Sequence, residues 1–406
     1  MQRGFWGTPT GRASLVNLEN MQQAMAREGI GCWLVYSFQG KNPIMAQFVQ
    51  PKSMVSRRLF LIIPAQGEPQ LLGSKIDHDV IQALPLKANY YVSWQEMESE
   101  LTRLLADCQV VAMDYSPGGE LPTVSRVDAG TIEMIRKLGK TVVSAANVYQ
   151  AGAAIWEPGM LEIHLDDCRR VAQIKDNAFA LIADHLRRGA SITEYDVQQF
   201  IMQQFEQAGL FTPYPPIVGV NAHSGDPHYS PEANNYAPIK KDDWILIDLW
   251  AKQPGYSHVF ADMTWVGIAG PQATAKQQEV FTIVAEARDK VIDFLQTKTD
   301  QRQTIEGWQV DDVARQHITQ AGYGPYFFHR TGHSLGPGDH VHGTGVNIDN
   351  LETHDTRTLI PGIGFSVEPG IYLPEFGVRL EINVYMDESG PKVTTPIQSK
   401  IITLDV

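Results

Sequence analysis

The sequence predicts an α/β domain followed by an α+β domain, on three observations. The first 150 or so residues alternate helical and strand periodicity. A run of small residues and breakers, Ala151-Gly152-Ala153-Ala154 through Glu157-Pro158-Gly159, interrupts that pattern. Beyond Gly209, strands joined by tight hairpins become prominent. A length of 406 residues also favours two domains over one. The expected domains are residues 1–154 and 155–406.

In the first half, Leu15 to Arg27 has helical periodicity and stops near Gly29-Ile30-Gly31. Cys32-Trp33-Leu34-Val35-Tyr36 reads as a strand. Leu59 to Ile63 and Gln70 to Leu72 read as a hairpin across Pro64 to Pro69, and Val110 to Asp114 as a further strand. In the second half a long helical pattern runs from Leu161 to His185. Another helix starts near Thr193, with Glu194 and Asp196 at its positive end. Lys276 to Leu295 and Val310 to Gln320 give two more helices, and the chain from about Phe365 is mostly strand.

At 43% hydrophobic and 19% charged, the composition is that of an ordinary globular protein. No apolar run approaches the roughly 18 residues that cross a bilayer. Met1 to Gly7 holds one basic residue and leads into no apolar stretch, unlike a secretory leader. Cys32, Cys108 and Cys168 are far apart without CxxC spacing. That usage suits a reducing cytoplasm and argues against a cysteine-ligated zinc site. A formal net charge of -13 makes nucleic acid and anionic membranes poor partners.

Several carboxylates sit where burial makes them expensive. Ile245-Leu246-Ile247-Asp248-Leu249-Trp250 and Phe260-Ala261-Asp262-Met263-Thr264-Trp265 are strand patterns, each with an Asp inside an apolar run and with Pro254-Gly255 between them as a turn. A hairpin would bring Asp248 near Asp262, where the two charges repel unless a cation compensates. Glu368 ends the apolar run Gly364-Phe365-Ser366-Val367. Along Val378 to Tyr385, Leu380, Ile382 and Val384 face one way while Arg379, Glu381, Asn383 and Tyr385 face the other. Between these carboxylates lies His329-Arg330-Thr331-Gly332-His333-Ser334-Leu335-Gly336, followed by His340 and His342.

Each piece alone has an ordinary explanation: an edge-strand Asp, a strand-end Glu, a loop His. Together they make four carboxylates and a histidine in apolar or glycine-rich surroundings. Other polar residues read differently. Asp242 and Asp243 follow Lys240-Lys241 in a solvated turn. His258 shares strand parity with Asp262 but would lie about 13 Å from it. His317 and His354 sit among polar residues and read as surface positions.

On these residues the chain resembles the pita-bread metallopeptidases, the family of methionine aminopeptidase, aminopeptidase P, prolidase and creatinase. The two-domain aminopeptidase P and prolidase branch is most similar. The resemblance implies a creatinase-type, ribonuclease H-like N-terminal domain and a pita-bread catalytic domain. It makes Asp248 the bidentate ligand of one divalent metal ion, Asp262 and Glu381 bridges between two ions, and His333 and Glu368 the remaining ligands of the second. It also implies that His329, His342, Arg379 and His228 line the substrate pocket and that Glu368 is the general base. His342 or His340, with His228, would stabilise the tetrahedral intermediate or give a proton to the leaving amine.

Two spacings depart from the family. Asp248 and Asp262 lie fourteen positions apart, which implies an insertion around Lys252 to His258. His333 and His342 lie nine apart, and His340, at seven, has the more usual distance; the flanking residues favour His342. The donor set suits manganese first, with cobalt, iron or zinc also possible. The implied activity is hydrolysis of an N-terminal Xaa-Pro bond in a proline-containing di- or oligopeptide, by a homodimer. Three rivals remain open: a creatinase-like amidinohydrolase, a pita-bread enzyme for a non-proline substrate, and a non-catalytic binding module.

Overall fold

The computed structural model describes residues 16–406. The expected helix start at Leu15 and the reading of Met1 to Gly7 lie outside them. The chain divides into two compact units at the Ala153–Ala154 bond.

In the first unit, helix α1 (Leu18–Glu28) begins where the Asn17 side chain accepts from the Asn20 N–H at 3.1 Å and ends on Gly29 at φ +68°. Strand β1 (Cys32–Phe38) follows, then a short helix α2 (Met45–Phe48), β2 (Arg58–Pro64) and β3 (Gln70–Ser74). Helix α3 (His78–Gln82), β4 (Lys87–Tyr91), α4 (Trp94–Leu104), β5 (Val110–Met113), α5 (Ala129–Lys137), β6 (Thr141–Ser144) and α6 (Ala146–Ala153) complete it. The six strands form one mixed sheet in the order β4-β3-β2-β1-β5-β6. β2 runs antiparallel to both β1 and β3, while β1–β5, β5–β6 and β3–β4 are parallel. Successive β1 side chains enter opposite cores. Trp33 and Val35 join one apolar cluster, and Cys32, Leu34 and Tyr36 join the other. Burial on both faces explains why this strand reads as an unbroken apolar run.

The small-residue run is not a linker throughout. Ala151 to Ala153 form the last turn of α6, and Gly152 is there because Met21 packs against it. A Cβ at position 152 would lie 2.2 Å from the Met21 Cε.

The second unit starts with two helices, α7 (Met160–Arg187) and α8 (Glu194–Gln207). Thr193 and Asp196 close a capping box at the start of α8. Strands β7 (Ile217–Val220), β8 (Trp244–Ala251) and β9 (Ala261–Ile268) form an antiparallel array, with β16 (Ile402–Thr403) parallel on the outer edge of β9. Ile245, Ile247 and Leu249 pack with Ile182, Ile201 and Phe205 of α7 and α8. The alternate residues Trp244 and Leu246 pack into a second core with Val284 of α9 (Ala275–Asp300) and Ala314 of α10 (Gly307–Gln320). Asp248 has the parity of Leu246, so the pleat that buries the α7 side directs Asp248 to the other face.

The remaining strands are β10 (Ser334–Leu335), β11 (Gly364–Val367), β12 (Gly370–Tyr372), β13 (Gly377–Arg379), β14 (Ile382–Asp387) and β15 (Gly390–Val393). The sequence reads Val378 to Tyr385 as one alternating strand, but the structure breaks it at Leu380–Glu381. β13 pairs with β12, whereas β14 pairs with β11 and β15. The same kind of break separates β11 from β12 at Glu368–Pro369. Both glutamates sit where the chain leaves one sheet for another, so their backbone is free of a ladder and their side chains can turn inward. Among the described residues, no helix is long and apolar enough to cross a membrane.

Candidate metal centre

The hairpin register sets the first two carboxylates. Asp262 lies opposite Trp250, and Asp248 lies opposite Thr264. The two aspartates are therefore diagonal neighbours on one face, close enough for their side chains to converge. Asn383 fixes one of them, its Oδ1 accepting from the Asp262 N–H at 2.8 Å. Glu381 approaches the same point because its N–H donates to Thr264 O at 3.2 Å and its Oε2 accepts from Thr264 Oγ1 at 2.9 Å.

His333 arrives from the opposite side. Gly332 lets it, since a Cβ there would stand 2.0 Å from Ser366 O. The His333 N–H donates to Ser366 Oγ at 2.9 Å, and that hydroxyl donates to Glu368 Oε1 at 3.0 Å. His333 Nδ1 lies 3.1 Å from Ser334 O, which can only accept, so Nδ1 carries the proton and Nε2 offers a lone pair. Nε2 stands 3.5 Å from Asp262 Oδ2 and 3.4 Å from Glu368 Oε1. Asp262, His333 and Glu381 each offer a ligand atom within 4.8 Å of the others.

These groups are chemically incomplete as they stand. Asp248 Oδ1 and Glu381 Oε1 are buried without a hydrogen-bond partner. Four carboxylates share one guanidinium, Arg379, which donates to Asp248 Oδ2 and lies 4.0 Å from Glu368. Burial, then the charge of Asp248, pushes the Asp262 carboxyl well above its usual range. Burial and the charge of Asp262 do the same to Glu381. Burial raises Glu368, against the pull of His333 and Arg379. An uncompensated buried charge costs several kcal/mol, far more than one ordinary hydrogen bond returns. Oxygen donors, one imidazole lone pair and two orphaned carboxylate oxygens fit a hard or borderline divalent cation.

The cluster lines a cavity of about 510 Å³ together with every other residue singled out from the sequence: His228, His329, His340, His342 and Arg379. His342 lies closest to the cluster of these histidines for which a contact is seen, its ring centroid 4.0 Å from that of His333. The proximity of His333, then burial and Arg330, hold the His342 imidazole down to about 2. His329 is fixed by Tyr372, whose hydroxyl lies 2.7 Å from Nε2, and burial keeps the ring neutral, down to about 3. Arg379 lines the cavity but spends its donors on Thr264, Tyr372, Pro227 O and Asp248. His258 is outside β9, with Nδ1 3.1 Å from Gln253 O, so its expected strand parity does not apply.

Sequence reasoning missed several cavity residues, among them Tyr214, Trp250, Arg330 and Glu352. Trp250 had a legible signal, because it shares the parity of Asp248. It also missed the residues that hold the loops. Glu194 reads as a helix-end charge, yet it is fully buried and accepts from Val220 N–H, Ala237 N–H, Tyr229 OH and His223 Nδ1, at 2.6–3.0 Å. It thereby fixes both ends of the loop that carries His228. Asp311 and Arg315 of α10 hold the His329 segment: Asp311 accepts from Thr331 N–H at 2.8 Å, and Arg315 donates to His329 O at 2.8 Å.

Comparison with known proteins bears on the family and the fold. Residues 166–388 match metallopeptidase family M24. An uncharacterized peptidase of Staphylococcus saprophyticus is 25% identical over 342 residues, covering 84% of this chain and 88% of its own. Another, from Staphylococcus haemolyticus, is 29% identical over 237 residues, 58% of this chain and 61% of its own. Among solved structures, dipeptidase PepE from Mycobacterium ulcerans superposes with a TM-score of 0.62 at 19% identity, over 96% of this chain and 97% of that one. An X-Pro aminopeptidase from Thermotoga maritima gives 0.55 at 20% identity, over 95% and 99%. At such identities the structural likeness speaks for the fold, a pita-bread domain preceded by an N-terminal domain. The family match spans more than half of the chain, and with the buried carboxylate–histidine cluster it leads to one conclusion: this protein belongs to metallopeptidase family M24 and is a metal-dependent hydrolase.

Proposed function

We propose that the protein hydrolyses N-terminal Xaa-Pro bonds with two divalent ions, manganese first among them, held by Asp248, Asp262, His333, Glu368 and Glu381. The observation that carries this reading is the pair of orphaned oxygens, Asp248 Oδ1 and Glu381 Oε1, inside a cluster of three buried carboxylates and the partly buried Glu368. Two dications would nearly balance that charge. When bound, such ions polarise a scissile carbonyl and lower the pKa of water enough to supply a nucleophile at neutral pH.

The protein's own groups do the rest. Glu368 is the general base, oriented by the Ser366 hydroxyl. His342 accepts from Arg330 at Nδ1, 3.3 Å away, which leaves its Nε2–H to donate to the developing oxyanion or the leaving amine. His340 and His228 line the same cavity as further donors, and His329 shapes its wall. Arg379 acts through Asp248 and Tyr372, holding the first while orienting the second. The Xaa-Pro preference is supported by the fold shared with an X-Pro aminopeptidase and with an Xaa-Pro dipeptidase from Bacillus anthracis. Proline's tertiary amide lacks the N–H that general peptidases engage, so a dedicated pocket makes chemical sense. In this reading residues 1–154 are a creatinase-like domain, 155–406 are catalytic, and the enzyme works as a homodimer in the cytoplasm.

The test is an assay of metal-loaded enzyme against Gly-Pro, Ala-Pro and a longer Xaa-Pro-Xaa peptide. Turnover of at least one, abolished by chelation, is the expected result. No turnover of any with metal confirmed bound would refute the substrate assignment and leave the metal centre standing.

A further inference from the structure

Both long spacings in the motif set lead to one buried ammonium. Lys252 opens the connection between β8 and β9 and is only 1% exposed. Its Nζ donates to Gly255 O at 3.1 Å, to His258 O at 3.0 Å and to Gly338 O. Three carbonyls match the three donors of an ammonium, which is what makes so complete a burial tolerable. The group also lies 4.7 Å from the centroid of the Phe260 ring. Two of the carbonyls belong to the lysine's own connection. The third belongs to the segment between His333 and His342.

That segment is bound in return. Gly338 N–H donates to Tyr256 O at 2.9 Å, with Gly338 at φ +139°, a backbone that a side chain would strain. Its other end is closed at Ser334, whose carbonyl accepts from Gly343 N–H at 2.6 Å and whose hydroxyl accepts from Gly345 N–H at 2.9 Å. His340 and His342 lie between these two fixed points. Gly343 must stay bare for the closure, because a Cβ there would stand 2.7 Å from Gly336 N.

We propose that Lys252 is a positioning residue, and that the extended β8–β9 connection acts as a strut holding the His340–His342 loop over the metal centre. Neither histidine is on a strand or helix, so the loop's aim depends on its two ends and on the Arg330 contact with His342. Ser334 fixes the end next to the metal centre, and Lys252 fixes the outer one. Removing the ammonium takes the donor from His258 O and Gly338 O, leaves Gly255 O only the His258 N–H, and leaves the outer end held by the Gly338–Tyr256 bond alone, while the strands that carry Asp248 and Asp262 keep their ladder. The kinetic part of the proposal rests on the reading that these histidines act on a peptide substrate; the structural part does not.

The experiment uses full-length, manganese-loaded Lys252→Met protein. Amide hydrogen exchange across residues 336–343 is expected to accelerate at least about tenfold while β8 and β9 keep wild-type protection. With Ala-Pro as substrate, kcat is expected to fall about tenfold or more while KM stays within about twofold, because the histidines contribute in the transition state. Bound manganese should match the wild type. If Lys252→Met does not fold, Lys252→Gln, which keeps two donors, should give the same pattern at smaller amplitude. In Lys252→Ala, added propylammonium should restore part of kcat. Unchanged exchange at 336–343 in the folded variant would overturn the strut. Faster exchange with unchanged kcat would overturn the positioning role. Failure of the wild type to cleave any Xaa-Pro peptide would remove the proposed substrate, and the exchange measurement would still decide the strut.

Discussion

Ser366 shows how much of the centre depends on a single hydroxyl. It accepts from the His333 backbone and donates to Glu368, so two candidate ligands that flank different strands, β10 and β11, are set by one oxygen. Ser366→Ala removes the acceptor of the His333 N–H and the donor to Glu368, so both side chains should lose their aim while the β11 ladder stays. Metal affinity or activity should fall by about 10- to 100-fold, read by metal titration and by kcat/KM. Removal of a cluster carboxylate is a different kind of change. Asp262→Ala or Glu381→Ala should abolish stoichiometric metal binding in equilibrium dialysis, and two ions retained per chain in either variant would refute the bridging roles. Glu194 acts at a distance from the cluster. Its replacement by Ala strands the Val220 and Ala237 N–H groups, each worth about 1–3 kcal/mol when left unpaired in the interior. Denaturant unfolding should register a loss of that order, with a raised KM if the His228 loop contacts substrate.

At the level of elements, glycines decide how closely the strands approach the centre. Gly364 packs on Trp156, and a Cβ would come within 2.2 Å of the indole. Gly364→Ala should cost about 1–3 kcal/mol by overpacking, seen as a lower unfolding midpoint. Gly332→Ala meets backbone rather than a side chain, so it should displace His333 and lower metal affinity as well. Much of this unit was legible in the sequence because its periodicity is strong. The Asp248–Asp262 hairpin, the long helices and the inward-facing glutamates all follow from parity and from charges inside apolar runs. What the sequence did not reveal has a common physical origin. The breaks at Glu368 and Glu381 keep the alternation of a continuous strand, and only the change of partner from one sheet to another exposes them. Glu194, Asp311 and Lys252 look like solvated surface charges, because their partners are backbone groups or residues distant in sequence. A backbone carbonyl carries no letter in the sequence.

In the whole molecule, one buried group in each unit should answer acid in the opposite way to the other. Asp114, in the first unit, is fully buried between Trp33 Nε1 at 2.9 Å and Asn42 Nδ2 at 2.7 Å, and burial pushes its carboxyl up to about 7. Its folded form holds a proton that the unfolded form releases, so its stabilising contribution is present below pH ~4 and lost as pH rises through 7. His164, in the second unit, is buried against Trp156 and Thr394, and burial holds it down to about 4. Its unfolded form takes up a proton first, so its contribution is present above pH ~6.5 and lost as pH falls toward 4. Acidification from pH 7 to 5 should therefore remove much of the stabilising contribution of His164 and strengthen that of Asp114. Calorimetry of wild type, Asp114→Asn and His164→Gln at both pH values tests this, each substitution changing the pH 7-to-5 difference in stability by on the order of 1–3 kcal/mol, with opposite signs for the two. The Lys252–Gly338 contact reaches further still, into lineage. Two segments that share one buried cation and one return bond cannot change length separately. Relatives with a short β8–β9 turn should also carry a short histidine loop, and insertions in the two should be inherited together.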